Sequence, residues 1–260
     1  MYNQYGALLL DIQRFRNVVA VTMARAPVNA FDKGFVEAWN RCLDDVDPSA
    51  IAVLHIRSAQ KVFSAGADLK MMRDFFSSEG AAANLVEHVA AMQDVFDRIE
   101  ALPCVTVAEI GGSALGGGFE LALSCDLRIV AHGALVGLPE AGIGLIPGAG
   151  GTQRLPRLCG EAVAKRIILG CDVVDGQVAE RIGLAQWSVP DAELRAFADT
   201  TVARIAGLST AALGAAKRCI VAGGTAIKTG LLLERLETLR LLDVDDTRQR
   251  VGAFLKNRER

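Results

Sequence analysis

Glu120 and Glu140 are carboxylates set in otherwise uncharged stretches: residues 110–119 carry no charge, and neither do residues 141–153. Each follows a glycine- or proline-bearing bend, so both are aimed at apolar surroundings. A carboxylate in a dry site is pushed toward its neutral form, and a pair of them can divide acid and base roles on one substrate. Three glycine-bearing loops accompany the pair. Phe63-Ser64-Ala65-Gly66-Ala67-Asp68-Leu69 has small residues that admit a ligand to the backbone, or else forms a tight turn capped by Asp68. Ala114-Leu115-Gly116-Gly117-Gly118-Phe119-Glu120 opens a helix with successive glycines, which costs backbone entropy and points to a close approach. Leu138-Pro139-Glu140 runs into a glycine-dense wall through Gly148 to Gly151. Amides near Ala67 and Gly117 that converge on one carbonyl oxygen would make an oxyanion hole. The glycine spacing is neither a dinucleotide fingerprint nor a Walker loop, and no G-x-S-x-G elbow is present.

Positioning these residues requires an alternation of strands and helices. Residues 7–12 and 18–23 read as paired strands around a polar turn at 13–17, and 31–46 as an amphipathic helix with Phe35, Val36, Trp39 and Leu43 on its apolar face. Apolar strands are expected at 51–56, 104–110 and 126–131, with a helix at 85–102 and a glycine-led segment at 116–124. The fold class is therefore α/β, with strands buried between helical layers. Beyond Pro190 only helical patterns remain, at 191–206, 210–221, 226–242 and 245–256, which divides the chain into a core at 1–190 and a helical region at 191–260. The leucines of that region suit either core packing or a subunit interface.

Composition narrows the classes. The 260 residues are 51% hydrophobic, enough for a large core, and the net charge of -2 gives no electrostatic case for nucleic acid or an anionic membrane. The helix at 31–46 carries charges of mixed sign, unlike a nucleic-acid-binding face. No apolar run approaches the roughly 20 residues of a membrane span, and the amino terminus has no signal-like pattern, so the chain reads as soluble and cytoplasmic. Six cysteines and three histidines lack metal-ligand or redox spacing and read as structural, so no metal site is expected.

The run Ser64-Ala65-Gly66-Ala67-Asp68-Leu69-Lys70, then Gly116-Gly117-Gly118-Phe119-Glu120-Leu121-Ala122, then Pro139-Glu140 with Pro147 to Arg154, closely resembles enoyl-CoA hydratases of the crotonase family. The resemblance runs in order from about Val18 to the end of the chain. It implies a crotonase-like spiral of repeated β-β-α units, with a C-terminal helical region that packs homotrimers, often stacked as hexamers. It implies a lyase of fatty acid β-oxidation that adds water to trans-2-enoyl-CoA and gives 3-hydroxyacyl-CoA. The oxyanion amides would fall on Ala67 and Gly117, water activation mainly on Glu120 and α-protonation mainly on Glu140. The acyl-CoA thioester would be held by Ala65, Gly66, Asp68, Leu69, Lys70 and Met72, by Gly116, Pro139 and Gly148, and by Phe254 and Lys256 near the carboxy terminus. Coenzyme A belongs to the substrate, and no separate cofactor is implied. Met71 stands where many hydratases have a polar or acidic residue. A sibling reaction of the family, such as double-bond isomerisation, is the alternative, and an RNA-binding relative a more distant one.

Overall fold

The computed structural model describes residue 1, residues 8–76 and 81–223, and part of 231–250. The chain begins with a hairpin of β1 (Leu10–Phe15) and β2 (Val18–Met23), followed by α1 (Lys33–Asp44) and β3 (Val53–Ser58). Next come α2 (Leu69–Phe76), α3 (Ala81–Ala101), β4 (Val105–Ile110), β5 (Ala114–Leu115) and α4 (Gly117–Ser124). Then β6 (Leu127–Ala131), β7 (Leu135–Gly137), a 3-10 turn at Pro139–Ile143 and α5 (Gly151–Leu169) lead to β8 (Val173–Asp175), α6 (Gly176–Arg181) and β9 (Trp187–Val189). Helices α7 (Leu194–Ala206) and α8 (Thr210–Gly223) follow.

Six strands form one sheet in the order β1-β2-β3-β4-β6-β9, parallel except for β1, and β5, β7 and β8 form a smaller sheet. The chain winds between the two: β4 and β6 lie in the large sheet, and each is followed by a short strand of the small sheet and then by helix. This is the repeated β-β-α winding that the family resemblance implies. Isolated bridges from Ser64 to Ala114 and from Phe31 to Ala67 carry strand-like pairing into the first glycine loop. Phe31 is wholly buried and stacks edge-on against Phe96 of α3, with ring centroids 5.5 Å apart, so that loop is anchored to the hydrophobic core.

The expected strands and helices before Pro190 are present with shifted ends. The first strand runs three residues later than expected because the hairpin turns tightly at Arg16 and Asn17, with Arg16 at φ 52°, and the polar residues Gln13 and Arg14 lie on the strand with exposed side chains. The strands β3, β4 and β6 are buried almost throughout, as parallel strands covered on both faces must be. Beyond Pro190, α7 and α8 match the first two expected helices; those expected at 226–242 and 245–256 lie largely outside the described residues.

Helix α4 is buried along its whole length. Its carboxy-terminal end is satisfied by Arg128, itself 1% exposed, whose guanidinium donates to the Ala122 carbonyl at 3.1 Å and the Cys125 carbonyl at 2.7 Å. A cation at that end complements the helix dipole and leaves the opposite end as the reactive one.

Candidate active site

The first two glycine loops touch. Gly66 has φ +88°, and a Cβ there would meet the Leu115 carbonyl oxygen at 2.8 Å; at Gly118 a Cβ would meet the Ser64 carbonyl oxygen at 2.4 Å. Only glycine allows backbones this close. The bridge from Phe31 uses the Gly66 carbonyl and the Asp68 amide, which steps over the N–H of Ala67. Gly117 is the first residue of α4, and its N–H has no carbonyl to pair with inside the helix. Both amides thus sit beside each other at the amino end of a buried helix, where developing negative charge is favoured.

Glu120 lies one turn further along α4, on the same side as Gly117. It is 2% exposed, and its Oε1 accepts the Gly151 N–H at 2.7 Å from the start of α5. Burial pushes its pKa up to about 7 against the pull of the Gly151 amide, and the negative charge of Glu140 pushes in the same direction. Glu140 sits in the 3-10 turn, half-buried, and burial raises its pKa too. Its Oε2 is buried and takes no hydrogen bond among the described residues. Such an atom is costly unless something else fills its lone pairs.

Both glutamates line a cavity of about 490 Å³. Of the residues picked out in the sequence, Ala65, Ala67, Gly116 and Gly117 come to its wall from the first two loops, Met72 from α2, and Pro139 and Gly148 from the third loop. Gly66, Asp68 and Lys70 are not among the described residues that line it, and the side chain of Leu69 lies outside the described ones. Gly66 is the contact between loops, Leu69 opens α2, Lys70 is exposed, and Asp68 caps α2 by accepting the Lys70 and Met71 amides at 3.0 Å. Phe254 and Lys256 lie outside the described residues.

A match to the enoyl-CoA hydratase/isomerase family model extends over residues 13–259. The chain belongs to the enoyl-CoA hydratase/isomerase family. It is 36% identical to the crotonyl-CoA hydratase of Syntrophomonas wolfei, over 98% of this chain and 97% of that protein. With a probable enoyl-CoA hydratase of Bacillus subtilis the identity is 33%, over 98% and 97% of the two chains. The crystal structure of the Bacillus anthracis enoyl-CoA hydratase superposes with a TM-score of 0.89 at 30% identity, covering 96% of this chain and 97% of that one. The two-sheet winding is accordingly the crotonase fold.

Several residues of this family member escaped the sequence reading. Arg25 donates to Asp32 at 2.6 Å and to Asp68 at 2.7 Å, which ties the cap of α1 to the cap of α2 and so fixes the loop that carries Ala67. Arg154, 7% exposed, pairs with Asp97 and with Glu100 of α3 at 2.8 Å, and also donates to the Ala149 carbonyl. Gln93 donates to the Gly148 carbonyl at 2.6 Å. Helix α3 therefore holds the start of α5, whose first amide holds Glu120. The helical periodicity of residues 85–102 was visible, but not which of its residues faces the glutamates: Leu85, His88, Val89 and Met92 do, since all four line the cavity.

Proposed function

We propose that this chain is an enoyl-CoA hydratase, adding water to trans-2-enoyl-CoA to give 3-hydroxyacyl-CoA. The observation that carries this reading is the placing of two pKa-raised glutamates, one buried and one half-buried, with Ala67 and Gly117 around one apolar cavity. The thioester carbonyl accepts hydrogen bonds from the Ala67 and Gly117 N–H groups. Water held between Glu120 and Glu140 adds its oxygen to the β-carbon and loses a proton to one carboxylate. The electrons move to the thioester oxygen as an enolate, which the two amides stabilise, and the other carboxyl group protonates the α-carbon. The buried Oε2 of Glu140 is one anchor for that water.

One proton shared by the pair suffices to start the reaction. The roles suggested by the resemblance, water activation at Glu120 and α-protonation at Glu140, make the ionised fraction of Glu120 near its pKa of about 7 the active one. A single-glutamate isomerase fits less well, since two carboxyl groups face the cavity. The helical region at 191–260 joins copies into trimers or hexamers in this reading, and the exposed Ile220 and Val221 of α8 support a covering partner.

The direct test is loss of enoyl-thioester absorbance when purified protein meets crotonyl-CoA and longer trans-2-enoyl-CoAs. Exchange of α-hydrogens of a saturated acyl-CoA with deuterated water, compared in Glu120→Gln and Glu140→Gln, identifies the glutamate that serves the α-carbon. Protein that binds these thioesters and hydrates none of them is not a hydratase.

A further inference from the structure

The cavity has a direction. Leu85, His88, Val89 and Met92 recur at helical spacing on one face of α3, and all four line it. The inner end of this stripe is fixed by Met92, which is 4% exposed and whose Cε lies 2.7 Å from where a Gly117 side chain would begin. Val89 marks the next turn, with its Cγ1 3.1 Å from where a Gly148 side chain would begin. Leu85 marks the turn furthest along the helix from Met92, and Met71 and Met72 of α2 line the same cavity.

From Met92 to Leu85 is seven residues, or ~10.5 Å along the helix axis. An extended hydrocarbon with bonds of ~1.5 Å advances about 1.3 Å per carbon, so the stripe matches about eight carbons counted from a thioester carbonyl held at Gly117. The facing wall includes Ile143 and Ile146, left 68% and 71% exposed, which is apolar surface that a bound chain would cover.

Charge is as informative as length. Among the described residues no Lys, Arg or Asp lines the cavity, and the ionisable side chains that do are the two glutamates, His88 and Cys171. His88 is 3% exposed, and burial lowers its pKa, which favours the neutral imidazole. A terminal carboxylate on the acyl group would meet no counter-charge there and would face two glutamates.

We infer that the acyl group taken by this site is an uncharged aliphatic chain of medium length, about eight to ten carbons, laid along the Met92–Val89–Leu85 face of α3. The inference rests on the reading of the site as an acyl-CoA enzyme and names its substrate class. Each methylene buried along the stripe contributes about a fourfold gain in affinity.

The test uses calorimetry with the saturated thioesters butyryl-, decanoyl-, palmitoyl- and glutaryl-CoA, which need no turnover, beside kcat/KM for crotonyl- and trans-2-decenoyl-CoA. Decanoyl-CoA is expected to bind at least tenfold more tightly than butyryl-CoA, palmitoyl-CoA no more tightly than decanoyl-CoA, and glutaryl-CoA more weakly than butyryl-CoA. Leu85→Trp, which fills the outer turn, is expected to lower the decanoyl-to-butyryl affinity ratio at least fivefold. Equal binding of butyryl- and decanoyl-CoA, tighter binding of palmitoyl-CoA, or preference for glutaryl-CoA overturns the inference. A chain-length trend in binding without hydration of any enoyl thioester supports the inference and rejects the hydratase reading. No binding of any acyl-CoA rejects both.

Discussion

Glu109 and Glu120 are both almost wholly buried, at 5% and 2% exposure, and the chain treats them in opposite ways. Glu109, on β4, has the His55 imidazole 2.9 Å from one oxygen and the Arg195 guanidinium 3.1 Å from the other; the His55 contact lacks hydrogen-bond angles. Glu120 has the backbone of Gly151 and Ala149 and a second carboxylate for company, and the nearest cation, Arg154, is already paired with Asp97 and Glu100. The first arrangement compensates a buried charge and ties the core to α7, whereas the second leaves the carboxyl poised between its two protonation states. Burial alone therefore does not mark a candidate acid; burial without an ion-pair partner does.

The largest test of this contrast is substitution of the poised pair. Glu120→Gln or Glu140→Gln is expected to lower kcat by about 10²- to 10⁴-fold without lowering the melting temperature, since each removes a proton carrier and keeps the packing. A melting temperature that falls with kcat would make Glu120 another structural acid like Glu109.

The pH dependence of hydration comes next. If Glu120 activates water it must be ionised, so kcat/KM is expected to fall about tenfold per unit as pH drops below about 7. In Glu120→Gln that acid limb should disappear from the residual activity; a limb that persists moves water activation to Glu140.

For the compensated acid the expectation reverses. Glu109→Ala leaves His55 and Arg195 without their partner and is expected to cost about 3–5 kcal/mol of stability, read from denaturant unfolding, while kcat changes less than about twofold. A large loss of kcat with unchanged stability would collapse the distinction.

The smallest effect is in the pH dependence of stability. The raised pKa of Glu120 means that its contribution is fully present below its ordinary value of 4.5 and is lost as pH rises to about 7. Ionising it in the fold costs about 3 kcal/mol over that window. The Glu120→Gln variant should lack this decline, so its stability relative to the parent should improve from pH 4.5 to 7.

Legibility in the sequence followed locality. The glutamates stood out because uncharged runs surround them, and the first two glycine loops because glycines in series have a high backbone cost. Helix α5 was missed: Pro156 and the kink at Gly160, φ 78°, interrupt its pattern, so residues 148–153 read only as a glycine wall. They are in fact the approach to a helix whose first amide holds Glu120. The small sheet was missed as well, since β5, β7 and β8 have two or three residues each, too few for a period to show. Arg25 and Arg154 carried no local signal, because their partners lie up to 43 and 57 residues away.

By itself the sequence determined which residues could do chemistry and that strands and helices alternate around them, since charge, glycine cost and hydrophobic period are properties of neighbouring residues. Tertiary structure alone decided that the loops bearing Ala67 and Gly117 touch, that α5 holds Glu120, and that one face of α3 lines the cavity with the glutamates. Those are distances between segments far apart in the chain, set by sheet pairing, helix packing and the buried cations that pin them.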